Sequence, residues 1–130
     1  MTYKIYKDVL FSIMGFSKSF YPNEFSALLY ISDNIIEEIY FLPLTVSNEN
    51  SAVLRLDMSP MIFSLKGSVH SHPSGYGIPS RADLHFFLGK AVNIIAYYPF
   101  GIEDYKAYTQ KGEPILLEVI LRKKVSKNKF

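Results

Sequence analysis

The apolar positions of this chain change period several times, and each change predicts an element. Tyr6, Val9, Leu10, Ile13 and Phe16 recur at the spacing of one helical face, after a short extended segment from Tyr3 to Ile5. Tyr21-Pro22-Asn23-Glu24 reads as the opening of a second helix, with Pro22 suited to the first turn and Phe25, Leu28 and Leu29 as the buried stripe. Ile35 to Val46, its end demoted by Pro43, and Ser51 to Leu56 read as two strands of a hairpin across Ser47-Asn48-Glu49-Asn50. From Met61 to His72 the pattern alternates: Met61, Phe63, Leu65 and Val69 share one parity, and Ser64, Lys66, Ser68, His70 and His72 the other, so a strand presents both imidazoles on its polar face. Pro73 ends that strand, and Gly75, Gly77 and Pro79 make a turn-rich connection. A helix from Ser80 to about Lys90 follows, with Leu84, Phe87, Leu88 and Ala91 at helical spacing. Val92 to Tyr98 is nearly continuously apolar, as a buried central strand is. After the Pro99-Phe100-Gly101 break, Asp104 to Thr109 and Ile115 to Leu121 read as a meander across Lys111-Gly112.

Two helices, three strands, a helix and three strands make an α+β domain with one mixed, largely antiparallel sheet flanked by helices. The length of 130 residues fits one domain with a proper core, the apolar fraction being 48%. The net charge of +2 conceals an asymmetry: residues 122–130 carry five basic residues and no acid, leaving residues 1–121 at −3. The body is the expected domain, and the basic tail reads as a solvated terminus. A mildly acidic body argues against a nucleic-acid-binding face. There is no cysteine, which removes disulfides, thiolate metal sites and cysteine nucleophiles. No apolar run approaches the roughly 20 residues of a membrane span. Val9 to Phe16 has no small-residue cleavage site after it, so a soluble, cytoplasmic protein with no membrane partner is expected.

The candidate chemistry lies in His70-Ser71-His72-Pro73-Ser74-Gly75-Tyr76-Gly77-Ile78-Pro79-Ser80-Arg81-Ala82-Asp83. Taken separately, Ser-x-x-Asp before an apolar helix is a capping pattern and a histidine pair on a strand is common. Taken together, a loop that returns a carboxylate beside two imidazoles supplies three ligands, the number catalytic zinc sites use while leaving a fourth position open. Ser71 faces the other side of the strand, and His85, about 200° round the helix from Asp83, points away from the ligands. Ser74 and Tyr76 read either as substrate contacts or simply as polar loop residues, and Asp57 reads as a turn cap or a groove residue. Glu24, taken alone, is an acid favourably placed in the first turn of a helix.

His-x-His, seven residues, Ser, two residues and Asp, with Pro-Ser after the second histidine and before the arginine of the helix, resembles the signature of the JAMM metalloproteases, the catalytically competent MPN domains. The order of elements is similar too, from the first helix through about Val119, and the short connections resemble the compact prokaryotic or archaeal type. The resemblance implies an MPN/JAB-like, cytidine-deaminase-like fold with one Zn²⁺ per chain held by His70, His72 and Asp83. It implies Glu24, in the Pro22-Asn23-Glu24 context, as general base and acid, and Ser80 as donor to the oxyanion. The implied activity is hydrolysis of the peptide or isopeptide bond after the C-terminal Gly-Gly of ubiquitin-like modifiers, with their conjugates as partners. A RadC-like protein, a small-peptide zinc amidase and a noncatalytic MPN scaffold are the alternative readings.

Overall fold

The computed structural model describes residues 2–41 and 64–123. The expected strand from Ser51 to Leu56, its hairpin, Asp57 and the start of the histidine strand lie outside them. Among the described residues, one eight-stranded sheet is built from β1 (Tyr3–Tyr6), β2 (Ser26–Ser32), β3 (Ile35–Tyr40), β4 (Gly67–His72), β5 (Val92–Tyr97), β6 (Tyr105–Tyr108), β7 (Pro114–Ile115) and β8 (Leu117–Ile120), with α1 (Lys7–Phe20) and α2 (Arg81–Phe87). The spatial order is β7-β6-β5-β4-β2-β3-β1-β8. Pairings β2–β3, β2–β4, β5–β6 and β6–β7 are antiparallel, whereas β1–β3, β1–β8 and β4–β5 are parallel, so the sheet is mixed as expected.

α1 forms where the apolar stripe predicted it, burying Val9, Leu10, Ile13 and Met14. These pack on a cluster that includes Ile5, Phe25, Leu29, Val69, Ile94 and Phe100. The opposite parity of β4 and β5 lies under α2, where Phe87, Ile95 and Tyr108 form a second cluster. Ser68 and Asn93, paired across β4 and β5, join Oγ to Oδ1 at 2.6 Å on that parity. β4 and β5 are therefore buried on both faces.

Two expectations are corrected. The second helix does not form: Ser26–Ser32 is β2, flanked by β3 and β4, and Glu24 lies on the connection from α1. Ala27, Leu28, Leu29 and Ile31 are all buried, so the run has no one-sided stripe, and periodicity cannot separate a buried strand from a buried helix. β2 and β3 form a hairpin. Asp33 and Asn34, at φ 53° and 62°, supply the two left-handed positions that a tight two-residue turn needs. The second correction concerns the final strand. Of the expected Ile115–Leu121 strand only Ile115, in β7, pairs with β6, and after Leu116 the chain crosses to the other end of the sheet order, where β8 pairs with β1. Arg122, counted with the tail, folds back: its Nε donates to Asp8 Oδ2 at 2.9 Å, one terminal nitrogen donates to the Glu37 carbonyl at 2.9 Å, and the guanidinium lies over the Tyr6 ring.

Candidate active site

β4 and β5 run parallel through the middle of the sheet, and β4 ends at His72. His70 is buried and His72 half-buried, on the same parity. The loop that follows is tied down from below. Tyr108 donates its hydroxyl hydrogen to the Gly77 carbonyl, and Gly77 lies so close to the Tyr97 ring that a β-carbon would fall 2.9 Å from Tyr97 Cδ2. Gly75, at φ 86°, takes a left-handed conformation that favours glycine. The loop thereby brings the Tyr76 carbonyl to 2.8 Å from His72 Nδ1. A carbonyl only accepts, so Nδ1 carries the proton and Nε2 presents a lone pair.

α2 returns the carboxylate. Ser80 caps it, its Oγ accepting from the Asp83 N–H at 3.1 Å while Asp83 Oδ2 accepts from the Ser80 N–H at 2.8 Å. The capping reading of Ser-x-x-Asp is thus realised, and the Ser80 hydroxyl also supports the Asp83 carboxylate. Asp83 Oδ1 lies 3.0 Å from His70 Nε2, Asp83 Oδ2 lies 3.1 Å from His72 Nε2, and the two Nε2 atoms are 3.0 Å apart. A tetrahedron with metal–ligand distances of about 2.0–2.1 Å has edges of about 3.3 Å, so this spacing suits a common ion. The chemistry of the donors also fits. Two imidazole nitrogens and a carboxylate are turned toward one point, and a cation relieves the facing lone pairs.

The electrostatics favour the ligating protonation states. Burial pushes His70 below the ordinary histidine value, against the opposing pull of Asp83, and so favours the neutral ring. Burial acts to raise Asp83, but its bond from the Ser80 N–H and the neighbouring histidines outweigh this and hold it below the ordinary carboxylate range.

Glu24 and Ser80 meet the ligands in one open cleft of about 500 Å³, lined by Glu24, His72, Pro73, Ser74, Ser80 and Asp83. A smaller adjoining cavity of about 190 Å³ joins Glu24 to His70, Asp83 and Phe86. All five site residues named from the sequence are therefore brought together, although Glu24 arrives on a connection and not a helix. His85 is exposed on α2, as its position round the helix predicts. Sequence reading missed the supporting contacts. Tyr76 contributes through its carbonyl, and Tyr108 and Gly77 are distant partners whose types carry no local signal.

Two histidines and an aspartate at the end of a central strand and the start of a short helix, with a glutamate across the cleft, define an α+β metal-site protein of the metalloprotease type. The chain belongs to the prokaryotic homologs of the JAB domain, whose family model matches residues 7–110. A probable metalloprotease of Haloferax volcanii is 35% identical over 123 residues, covering 87% of this chain and 76% of that protein. A JAB1/MPN domain protein from Archaeoglobus fulgidus superposes with a TM-score of 0.72 at 33% identity, covering 92% of this chain and 97% of that one. A structure described as a JAMM metalloprotease-like zinc site in the proteasome and signalosome gives a TM-score of 0.72 at 34% identity, over 92% of this chain and 99% of that one. The JAB1/MPN fold expected from the sequence is thus the fold observed.

Proposed function

We propose that this protein is a zinc-dependent isopeptidase that hydrolyses the bond after the C-terminal Gly-Gly of ubiquitin-like modifiers. The observation that carries the reading is the meeting of His72, Asp83, Glu24 and Ser80 in one open cleft, with His70 in the adjoining cavity and clustered with His72 and Asp83. His70, His72 and Asp83 would hold one Zn²⁺, which would supply a Lewis acid able to lower the pKa of water to about 7. Glu24 takes a proton from the attacking water and returns it to the leaving amine. Ser80 turns its hydroxyl hydrogen to the oxyanion that develops on the scissile carbonyl. The intact ligand set argues against a noncatalytic scaffold. Zinc in the relative described as a JAMM site supports the choice of metal.

The Gly-Gly preference has a physical basis, because residues without side chains thread a narrow approach and let backbone come close to the metal. The test is a panel of ubiquitin-like fusions, isopeptide conjugates and short peptides, with and without chelator, alongside elemental analysis. One zinc per chain and chelator-sensitive cleavage of modifier conjugates are expected. Full activity in a metal-free preparation would refute the reading, and cleavage of short peptides alone would replace it with a small-peptide amidase.

A further inference from the structure

We infer that Ser71, between the two histidines, is the positioning residue for Glu24: its buried hydroxyl anchors the segment that brings Glu24 to the His70–His72–Asp83 cluster. This rests on the hydrolase reading above. The β2–β4 ladder runs from Leu29 opposite Gly67 to Ser26 opposite His70, and one further step would set Phe25 opposite Ser71. Half of that pair forms in the ordinary way, with the Ser71 N–H donating to the Phe25 carbonyl at 2.8 Å. The other half does not. The Phe25 N–H donates instead to Ser71 Oγ at 2.8 Å, across 46 residues of sequence.

Putting a side-chain oxygen where the ladder would use a carbonyl lets the chain leave the sheet at Phe25 without orphaning a buried N–H. The next residue outward is Glu24. Phe25 is itself held, 1% exposed, with its ring against Phe16 and Phe20 of α1. Glu24 is thus one residue from a point clamped by aromatic packing and by Ser71. Ser71 is in turn flanked on β4 by both histidine ligands. A link from glutamate to ligands thus runs through one hydrogen-bonded pair of residues, Phe25 and Ser71. Ser71 is 0% exposed with its hydroxyl committed to Phe25, which leaves it no part as a nucleophile.

The test compares Ser71→Thr with Ser71→Val in the full chain. The two side chains match in size and branching and differ by one hydroxyl, so any packing strain is common to both. Ser71→Ala, smaller than serine, guards against a shared failure to fold and should behave as the valine variant. All variants should bind zinc as the wild type does. We expect kcat for Ser71→Val to fall about 30- to 100-fold below that for Ser71→Thr, with KM within about threefold, because misplacing a catalytic group by about 1 Å costs about 10²-fold. Independently of activity, the Phe25 amide should exchange with solvent about tenfold or more faster in the valine variant than in the threonine variant. Equal kcat values would refute positioning, and equal Phe25 exchange would refute the anchor. A wild-type protein with zinc but no turnover on any conjugate or peptide would overturn the hydrolase reading and the positioning role with it, an outcome distinct from an active wild type with indistinguishable variants.

Discussion

Replacing Ser80 with alanine separates two roles that the structure gives to one hydroxyl. As an acceptor it caps α2 through the Asp83 N–H at 3.1 Å, and as a donor it faces the cleft beside Glu24, His72 and Asp83. Losing a serine cap costs about 1 kcal/mol of stability. Against a global stability of even about 5 kcal/mol, that leaves well over 99% of the chains folded, so unfolding cannot lower the rate noticeably. Losing one oxyanion donor costs about 2.7–4 kcal/mol of transition-state stabilisation, or about 10²- to 10³-fold in kcat. The metal should stay, because Asp83 is held by the Ser80 main-chain N–H at 2.8 Å, which the substitution does not remove. Urea denaturation, zinc content and steady-state kinetics on one conjugate together read all three quantities. A variant that is destabilised by about 1 kcal/mol yet turns over at the wild-type rate would show that Ser80 is only a cap and refute the donor assignment.

Glu24→Gln should retain zinc and abolish turnover, and near wild-type kcat would move the proton-transfer role elsewhere. Gly77→Ala should cost about 1–3 kcal/mol by forcing a β-carbon against the Tyr97 ring. By shifting the Tyr76 carbonyl away from His72 Nδ1, it should also weaken zinc binding about 10- to 100-fold, measured by chelator competition. For the metal-free protein, the folded His70 pKa is depressed, so the unfolded chain binds the extra proton first as pH falls. Stability from this group is complete above the ordinary value of 6.5 and should decline below it, by at most about 1.4 kcal/mol per pH unit, in urea titrations. Its persistence in a His70→Asn variant would assign the decline to another group.

The His70–His72–Asp83 cluster was legible because its geometry is local: a strand places His70 and His72 together, a turn-rich loop reverses the chain, and a capped helix presents Asp83. Glu24 was legible only through the family resemblance. Its place depends on Ser71, far along the sequence, and no local pattern encodes that bond. β2 was misread because a strand buried on both faces loses its alternation, although Asp33-Asn34 between two apolar runs was a hairpin signal. The division at Leu116 had no counterpart in the pattern, since alternation specifies which face is inward and not which neighbour a strand will choose.

The parallel pairing of Tyr3 with Leu117 through Tyr6 with Ile120 constrains how the protein is made. The neighbour that covers the outer edge of β1 is the last of the described strands to be synthesised, at about 5–20 residues per second and therefore several seconds after β1. Throughout that interval a nascent chain carries an unpaired β1 edge, open to association with other chains. Pauses or truncations between Asp83 and Leu117 should therefore expose the protein to chaperone capture and aggregation even though His70, His72 and Asp83 have all been synthesised.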